Sequence, residues 1–287
     1  MLIFTILLLL LIMYIILRKI QIIFRKNTEI HNSGVYFIMK YGVADYGINV
    51  YDGDIYDLEE RLFMLKSIGF NGIERLEASE GSFALQNAAI FHKMGMSFAT
   101  VRGVRMEQTL NWSCAFGCEY VWITAGPATR NVDIDVFCRR ANKLLDSCRK
   151  YNLKGALHNH LGSVIESQDE LDYFMKKCPD AALLLDVGHL HGANGDNMKA
   201  LEKYYDRLAS IHFKDVFVKN PAAAEWYDRI RFCELGGGNS NFDYQSIAQF
   251  LRDKKYDKWV LVEHDTHLNP PVEDLAVSIN ELKKILG

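Results

Sequence analysis

The cysteines of this chain form none of the patterns that indicate a disulfide framework. The 287 residues include six cysteines, and no two of them make a CxxC pair. Their spacing also lacks the even arrangement of small secreted domains. Cys114 and Cys118 lie four residues apart, which fits one face of a helix. The pattern predicts reduced thiols in a protein core and argues against a disulfide-stabilised secreted domain.

The sequence also lacks an excess of positive charge. Lysine and arginine total 33 against 36 acidic residues, which gives a formal net charge of -3. Without a basic field, non-specific binding to nucleic acid is not expected. Hydrophobic residues make up 49% of the chain and charged residues 24%, a composition typical of a folded globular protein. The composition therefore favours chemistry on a small molecule, with no nucleic-acid partner.

Charged side chains are absent from residues 1–17, which are almost entirely apolar. Arg18, Lys19, Arg25 and Lys26 follow this run. A helix of this length spans about 25 Å, close to the thickness of a bilayer core. No charge precedes the run and no small-residue cleavage site follows it, so a cleaved signal peptide is not expected. The segment predicts an N-terminal hydrophobic helix that could anchor the chain in a membrane, with the rest of the chain in the cytoplasm.

A second interpretation of the N-terminal segment places the boundary of the folded domain at Met39. Everything needed for a complete domain follows that residue, so residues 1–38 are either a membrane anchor or sequence upstream of a mis-assigned start. Without their four basic residues and one glutamate, residues 39–287 carry 29 basic and 35 acidic side chains, a net charge of -6. Residues 39–287 are predicted to be an acidic, cytoplasmic catalytic domain.

Beyond residue 41 no Pro/Ser-rich linker interrupts the chain, which predicts one continuous domain. Short β-rich runs alternate there with amphipathic stretches. Eight runs predict strands: 42–48, 72–76, 97–101, 120–124, 155–158, 182–186, 210–212 and 259–263. Apolar residues three and four positions apart predict helices between them: 58–68, 83–94, 106–116, 135–151, 169–175, 198–208, 244–253 and 272–286.

This alternation predicts the fold class. Apolar strands that are each followed by a helix are typical of a parallel sheet covered by helices. Eight such units predict an α/β fold, a single (β/α)8 TIM barrel over residues 39–287, with an open doubly wound sheet as the alternative. Residues 216–242 are too many for an ordinary connection and predict a lid or substrate loop. Within them, GGGNSN predicts a tight turn or, alternatively, backbone amides that cradle a phosphate.

Ionisable side chains end most of the predicted strands, where the active site of such a barrel lies. They are Glu74, His158, His160, Asp186, His189, His212, Lys214, Asp215 and Glu263. Burying each without a partner would cost roughly a few kcal/mol, and one shared cation would satisfy several of them. Asp186, His212 and Glu263 combine two carboxylates with an imidazole, and His158 is the fourth candidate ligand. The set suits a divalent metal, Mn or Co first and Mg or Zn as alternatives.

Five segments, in this order, resemble a known superfamily: LHNHLGSVIES, LLLDVGHLHGANGDNMKALEKYYDRL, IHFKDV, FCELGGGNSNFDY and KWVLVEHD. They are similar to the sugar-phosphate isomerase/epimerase superfamily, the xylose isomerase-like TIM barrels. The likeness covers residues 39–287. Within the superfamily, HNHLGS and HFKDV most resemble the inosose dehydratase-like members.

The resemblance implies a set of metal ligands. The sugar epimerases of the superfamily use Glu, Asp, His and Glu in that order. Asp186, His212 and Glu263 match the last three, and His158 stands in the place of the first glutamate. Metal binding is therefore implied for this chain, whereas proton transfer between two glutamates is not.

Residues for proton transfer and substrate binding are predicted as well, and among them the resemblance itself supports His189 and Lys214. Glu263 is the expected base, His158 its partner acid or base, and Lys214 a proton donor to a leaving hydroxyl. The residues expected to bind substrate are His189, Glu74 and His160. For Glu74 a structural role is the alternative, and for His160 the alternative is to orient a metal ligand through its second ring nitrogen.

These residues predict enolisation of a keto-sugar, a keto-sugar phosphate or a keto-inositol. Return of the proton to the substrate gives isomerisation or epimerisation, which is the main prediction, and loss of a β-hydroxyl gives dehydration, which is the alternative. An apurinic endonuclease-like activity is not expected, because a domain with a net charge of -6 offers no basic face to DNA. A non-catalytic sugar-binding barrel is a further class, and the sequence leaves open whether the chain forms an oligomer.

Overall fold

The computed structural model describes residues 39–44, 57–125, 129–265 and 269–287 of the chain. The hydrophobic helix predicted for residues 1–17 lies outside this part of the chain. Within the described ranges, no helix combines the length and the apolar character needed to cross a membrane. All six cysteines are free thiols, as predicted, but the prediction that they lie in the core is wrong for Cys114, which is exposed, and for Cys118, which is half-buried.

Eight parallel strands form the barrel sheet, and two further strands form a separate hairpin. In chain order the strands are β1 (Lys40–Val43), β2 (Gly72–Glu77), β3 (Ser97–Arg102), β4 (Tyr120–Ile123), β5 (Lys154–His158), β6 (Ala182–Asp186), β7 (Leu208–Phe213), β8 (Asp215–Val218), β9 (Ile230–Cys233) and β10 (Trp259–Val262). The hydrogen-bonded order of the barrel is β3, β2, β1, β10, β7, β6, β5, β4. Each of the eight predicted runs overlaps one barrel strand, so the parallel sheet is confirmed.

The barrel is nearly closed, with one gap between β3 and β4. β1 pairs with both β2 and β10, which curls the sheet until its two edge strands are neighbours. Among the described residues no backbone ladder joins β3 to β4. The hydroxyl of Thr100 instead donates a hydrogen bond to the backbone oxygen of Tyr120 at 2.7 Å. A side chain thus bridges the gap that backbone pairing leaves open.

Helices cover the outside of the barrel. The described residues contain ten α-helices: α1 (Leu58–Ile68), α2 (Gly81–Met94), α3 (Met106–Ala115), α4 (Ile134–Lys150), α5 (Gln168–Lys177), α6 (Val187–Gly192), α7 (Asn197–Tyr204), α8 (Trp226–Arg229), α9 (Tyr244–Asp253) and α10 (Pro271–Leu286). Eight of them overlap the predicted helices, and the short helices α6 and α8 were not predicted. The side chains of Asp57, Asp133 and Asp243 accept hydrogen bonds from the first turns of α1, α4 and α9. Gly69 ends α1 with a φ of +106°.

One indole fills the amino-terminal end of the barrel interior. The ring of Trp259 is buried among small side chains, namely Ala99, Ala156, Ala182 and Ala209. A Cβ atom on Gly42 would lie 2.8 Å from the Trp259 ring, and one on Gly72 would lie 2.9 Å from it. Glycine and alanine therefore leave room for one large side chain at the amino-terminal end of the barrel. The polar residues lie at the carboxyl end of the strands.

The predicted insertion at residues 216–242 contains regular structure that the sequence analysis did not predict. β8 and β9 pair antiparallel within it, and the short helix α8 lies between them. The hairpin buries Val216, Ile230 and Phe232 against Leu161 of the β5–α5 connection. It packs beside the carboxyl end of the barrel, where the candidate site lies.

Candidate metal centre and substrate pocket

The carboxyl ends of four strands bring the four predicted metal ligands together. His158 and Asp186 are the last residues of β5 and β6, His212 lies in β7, and Glu263 directly follows β10. All four side chains are buried, and each offers a ligand atom that lies within 4.8 Å of the others. Parallel strands end at the same edge of the barrel, which explains why residues more than 100 positions apart meet there.

The contacts within this cluster are those of a site for a cation. His212 Nδ1 lies 3.1 Å from Glu263 Oε2 and 3.5 Å from Asp186 Oδ2. His158 Nε2 lies 3.5 Å from the same Asp186 oxygen. Two carboxylates and two imidazoles at these separations form a mixed oxygen and nitrogen donor set, which fits Mn, Co, Zn or Mg. The residues present therefore fit a divalent ion.

Lys214 contributes a positive charge to the same oxygens. Its Nζ lies 2.9 Å from Asp186 Oδ2, 2.5 Å from Glu263 Oε2 and 2.8 Å from Asp265 Oδ2. The lysine is fully buried. Gly188 makes room for its stem, since a Cβ atom there would overlap Lys214 Cγ. Asp265 was not predicted as a site residue, although it lies only two residues after Glu263.

The electrostatics of the cluster set the charge of each member. Burial alone would raise the pKa values of Asp186 and Glu263, but the Lys214 ammonium outweighs it and holds both pKa values well below their usual range. Burial would lower the pKa of His212, yet the Glu74 and Glu263 carboxylates raise it well above normal. Burial lowers the pKa of His158 despite its contact with Asp186. Asp186 and Glu263 are thus ionised, while His158 is neutral.

A second group beside the cluster consists of His160, His189 and Asp265, which also lie close enough to share an ion. The backbone N–H of Leu161 donates to His189 Nδ1 at 3.3 Å, so in a neutral ring the proton is on Nε2. A protonated nitrogen cannot bind a cation. His189 Nε2 is buried, lies 3.6 Å from Asp265 Oδ2 and makes no hydrogen bond within the described residues. His189 is buried behind the pocket wall and is absent from the residues that line the pocket.

An open pocket of about 380 Å³ lies over the cluster. Its lining includes Arg75, Thr100, Thr109, Trp122, His158 and Glu263. The predicted substrate residue His160 also lines it, whereas Glu74 does not. Trp122 was not predicted, because an aromatic residue within an apolar strand gives no polar signal. Its ring centroid is 4.6 Å from that of His158 and 5.8 Å from that of His212.

The structure places Glu74 beneath the pocket wall rather than at its surface. The side chain is fully buried. Glu74 Oε1 accepts hydrogen bonds from Trp122 Nε1 at 2.9 Å and from the Tyr120 hydroxyl at 3.1 Å. Its other oxygen, Oε2, lies 3.1 Å from His212 Nε2. Three side chains of the barrel interior therefore contact Glu74.

The GGGNSN segment forms a turn held by an aspartate. Asp215 Oδ2 accepts hydrogen bonds from the backbone N–H groups of Gly236 and Gly238 at 3.0 and 3.2 Å. A Cβ atom on Gly238 would overlap the Asp215 carboxylate, which explains why glycine stands there. These two amides donate to a carboxylate of the chain. This contact supports the predicted tight turn and not the alternative prediction, a cradle for a phosphate.

Comparison with known proteins gives one family and a consistent set of relatives. Residues 104–285 match the model of the xylose isomerase-like TIM barrel family. Over 157 residues the chain is 27% identical to the inosose dehydratase of Salmonella typhimurium, a match that covers 49% of each protein. The chain thus spans about half the length of the curated relatives it matches.

Solved structures of the same architecture include a dehydratase and an epimerase. The probable 3-DHS dehydratase of Bacillus anthracis aligns with a TM-score of 0.64 at 15% identity, over 85% of this chain and 99% of that chain. The D-psicose 3-epimerase of Clostridium cellulolyticum H10, solved with D-tagatose, aligns with a TM-score of 0.64 at 12% identity, over 86% and 99%. At these identities the likeness shows the shared fold.

Proposed function

Because the chain belongs to the xylose isomerase-like TIM barrel family, we propose that it is a divalent-metal-dependent enzyme that enolises a keto-sugar or a related polyol ketone. Isomerisation or epimerisation is the proposed outcome. The observation that carries the proposal is the cluster of His158, Asp186, His212 and Glu263, whose ligand atoms lie within 4.8 Å of one another beneath an open pocket.

The proposed reaction begins with removal of a proton next to the substrate carbonyl. When bound, a divalent cation would polarise that carbonyl and make the neighbouring C–H more acidic. Glu263 is the assigned base, because Lys214 and His212 keep its pKa low and its carboxylate ionised. Its Oε2 already contacts Lys214 Nζ and His212 Nδ1, so we assign the proton to Oε1.

His158 and His189 have separate roles in the proposal. His158 Nε2 faces Asp186 within the ligand cluster, which leaves Nδ1 as the atom for proton transfer. A single nitrogen could not bind a cation and carry a proton at once. His189 Nε2–H donates to a substrate oxygen and so orients the substrate over Glu263. His160 lines the pocket and packs against the His189 ring behind it, with centroids 3.7 Å apart.

A dehydratase is the second candidate, favoured by Lys214 and by the inosose dehydratase relatives. In this reaction Glu263 takes the α-proton and the bond from the β-carbon to its hydroxyl breaks. The hydroxyl takes a proton from Lys214 Nζ and leaves as water. Lys214 lies between Glu263 and Asp265, so a proton donor stands within 2.5 Å of the assigned base. The substrate would be a keto-inositol or a similar cyclic ketone.

Incubation in deuterated water tests the proposal. The protein, loaded with Mn²⁺, is mixed with keto-sugars, keto-sugar phosphates and inososes, and NMR follows deuterium incorporation and product. An isomerase or epimerase gives a deuterated product of unchanged composition, whereas a dehydratase gives a product that has lost one water. Glu263→Gln should abolish either reaction, and Lys214→Met should reduce dehydration more than exchange.

The exposed substitution Lys283→Ala is the matched control and should leave exchange unchanged. If no compound exchanges its α-proton with wild-type protein, enolisation is the wrong reaction. If Glu263→Gln exchanges as fast as wild type, the base is another residue.

A further inference from the structure

We propose that Glu74 is a positioning residue of the metal centre: it holds His212 so that Nδ1 is free to bind the ion. This role differs from the substrate contact expected from the sequence, and it rests on the proposed metal-dependent function. The side chain has no exposed surface and is absent from the lining of the pocket. A substrate in the pocket would meet Trp122 and His158 before it reached Glu74.

The two nitrogens of the His212 ring point to different carboxylates: Nε2 to Glu74 Oε2 at 3.1 Å, and Nδ1 to Glu263 Oε2 at 3.1 Å. A carboxylate accepts hydrogen bonds and donates none, so Glu74 favours a proton on Nε2. Glu263 favours a proton on Nδ1 in the same way, but Glu263 is itself a proposed ligand, and an ion bound between it and the ring would take the place of that proton. The ring would then be neutral, with its proton on Nε2 and its lone pair on Nδ1 toward the ion. This arrangement matches the way outer carboxylates orient metal-binding histidines.

Glu74 itself is held in place by two hydrogen bonds. Trp122 Nε1 and the Tyr120 hydroxyl both donate to Oε1, which leaves Oε2 for His212. Glu74 thereby also holds the Trp122 indole, which packs against the imidazoles of His158 and His212. The Arg75 guanidinium lies 4.4 Å from the centre of the indole. One buried carboxylate therefore restrains two of the four proposed ligands, His212 directly and His158 through Trp122.

The substitution Glu74→Gln separates positioning from simple structural support. Glutamine keeps the shape of the side chain, but its NH₂ group can donate to His212 Nε2. The ring would then favour the tautomer with its proton on Nδ1, which removes the lone pair from the ligand cluster. We expect the affinity for Co²⁺, measured by titration of its visible absorption, to fall by about 10- to 100-fold. The shape of the Co²⁺ spectrum should change as well.

Tyr256→Phe is the matched control. It also removes a buried side-chain hydrogen bond, which the Tyr256 hydroxyl donates to the backbone oxygen of Trp259 at 2.9 Å, at the opposite end of β10 from Glu263. Its Co²⁺ affinity should stay within about threefold of wild type, even where its thermal stability falls as much as that of Glu74→Gln. Equal Co²⁺ affinities for Glu74→Gln and wild type would overturn the inference and leave the proposed function intact. If wild-type protein binds no Co²⁺, the proposed function falls, and the inference falls with it.

A measurement on wild-type protein covers the case in which Glu74→Gln does not fold. Nitrogen-15 NMR of the Zn²⁺-loaded protein, with histidine labelled in the ring, reports which nitrogen of His212 carries the proton. The inference requires the proton on Nε2 and the ion on Nδ1. A proton on Nδ1 would overturn it.

Discussion

Lys214 supplies a positive charge from the chain itself to the buried carboxylates of the site. Burial would lower the pKa of this lysine, but Asp186, Asp265 and Glu263 raise it, so the side chain is charged at neutral pH. Ionised carboxylates in a buried site are costly without a nearby cation. Both Lys214 and a bound divalent ion would meet this need, and each should therefore compensate in part for the loss of the other.

The substitution Lys214→Met tests this compensation. Removal of the ammonium leaves three carboxylates without their shared partner, so the free energy of unfolding in EDTA should fall by about 3 to 5 kcal/mol. A bound ion would restore part of that loss, because it stabilises only the folded state. Excess Mn²⁺ should therefore raise the melting temperature of Lys214→Met more than that of wild type, as measured by differential scanning calorimetry.

Lys203→Met is the comparison for Lys214→Met. Lys203 Nζ lies 3.0 Å from Asp172 Oδ2, but this lysine is about half exposed, at 49% of its side-chain surface. Such exposed pairs contribute about 0 to 1 kcal/mol. This variant should melt close to wild type and respond to Mn²⁺ in the same way. If excess Mn²⁺ raises the melting temperature of Lys214→Met only as much as that of wild type, Lys214 and the ion do not compensate for each other.

The residues of the site were predictable to different degrees. His158, Asp186, His212 and Glu263 end apolar runs, and strand-end polar residues of a parallel barrel meet at one edge whatever the details of packing. The partners of Glu74 could not be predicted in this way. Its contacts with Tyr120 and Trp122 depend on the curvature of the sheet, which brings β2 close to β4. The pattern of apolar residues in the sequence does not predict that curvature.

At the scale of a single element, the start of α5 shows how one carboxylate organises a helix end. Ser167 and Glu170 form a capping box, in which the Glu170 side chain accepts hydrogen bonds from the backbone N–H of Ser167 and of Glu166. Arg130 Nη1 lies 2.6 Å from Glu170 Oε1. Burial would raise the pKa of Glu170, but these donors outweigh it and the pKa is lowered.

The capping box gives stability that depends on pH. A carboxylate with a lowered folded-state pKa stabilises the protein above its ordinary pKa of 4.5, and this contribution is lost as the pH falls through the folded value. Glu170→Gln should lower the free energy of unfolding by about 1 kcal/mol at neutral pH. The difference from wild type should shrink steadily in more acidic buffers, as measured by urea denaturation.

Glu202→Gln is the control for this series. Glu202 is exposed on α7, so its substitution should change stability little at any pH. A difference between wild type and Glu170→Gln that stays constant down to acidic pH would mean that the charge of Glu170 contributes nothing.

Secondary structure was more predictable for the barrel than for the insertion. The strands of the barrel are short segments of four to six residues that are mostly buried, and helices separate them. β8 and β9 are short and joined by 11 residues, far beyond the loops that identify a hairpin. Their pairing depends on contacts with Leu161 in another part of the chain, so sequence alone predicted a loop.

At the scale of the whole molecule, the ring of strands is complete except at the gap between β3 and β4. The segment that crosses this gap, between α3 and β4, contains Gly117, which has a φ of +72° and open space around its α-carbon. A break in the chain at this point would sever no strand pairing. The part that carries β1 to β3 would still pair with β10 through β1.

The gap therefore makes this barrel suited to fragment complementation. Two polypeptides that meet at the Phe116–Gly117 bond should associate when expressed together and recover the Co²⁺ affinity of the intact chain. The carboxyl-terminal fragment alone holds all four proposed ligands but lacks Glu74, so it should bind Co²⁺ more weakly until its partner is added. A break within β6, between Leu184 and Leu185, cuts a strand paired on both sides and should not be rescued. Equal recovery from both breaks would mean that the gap is no natural division of the barrel.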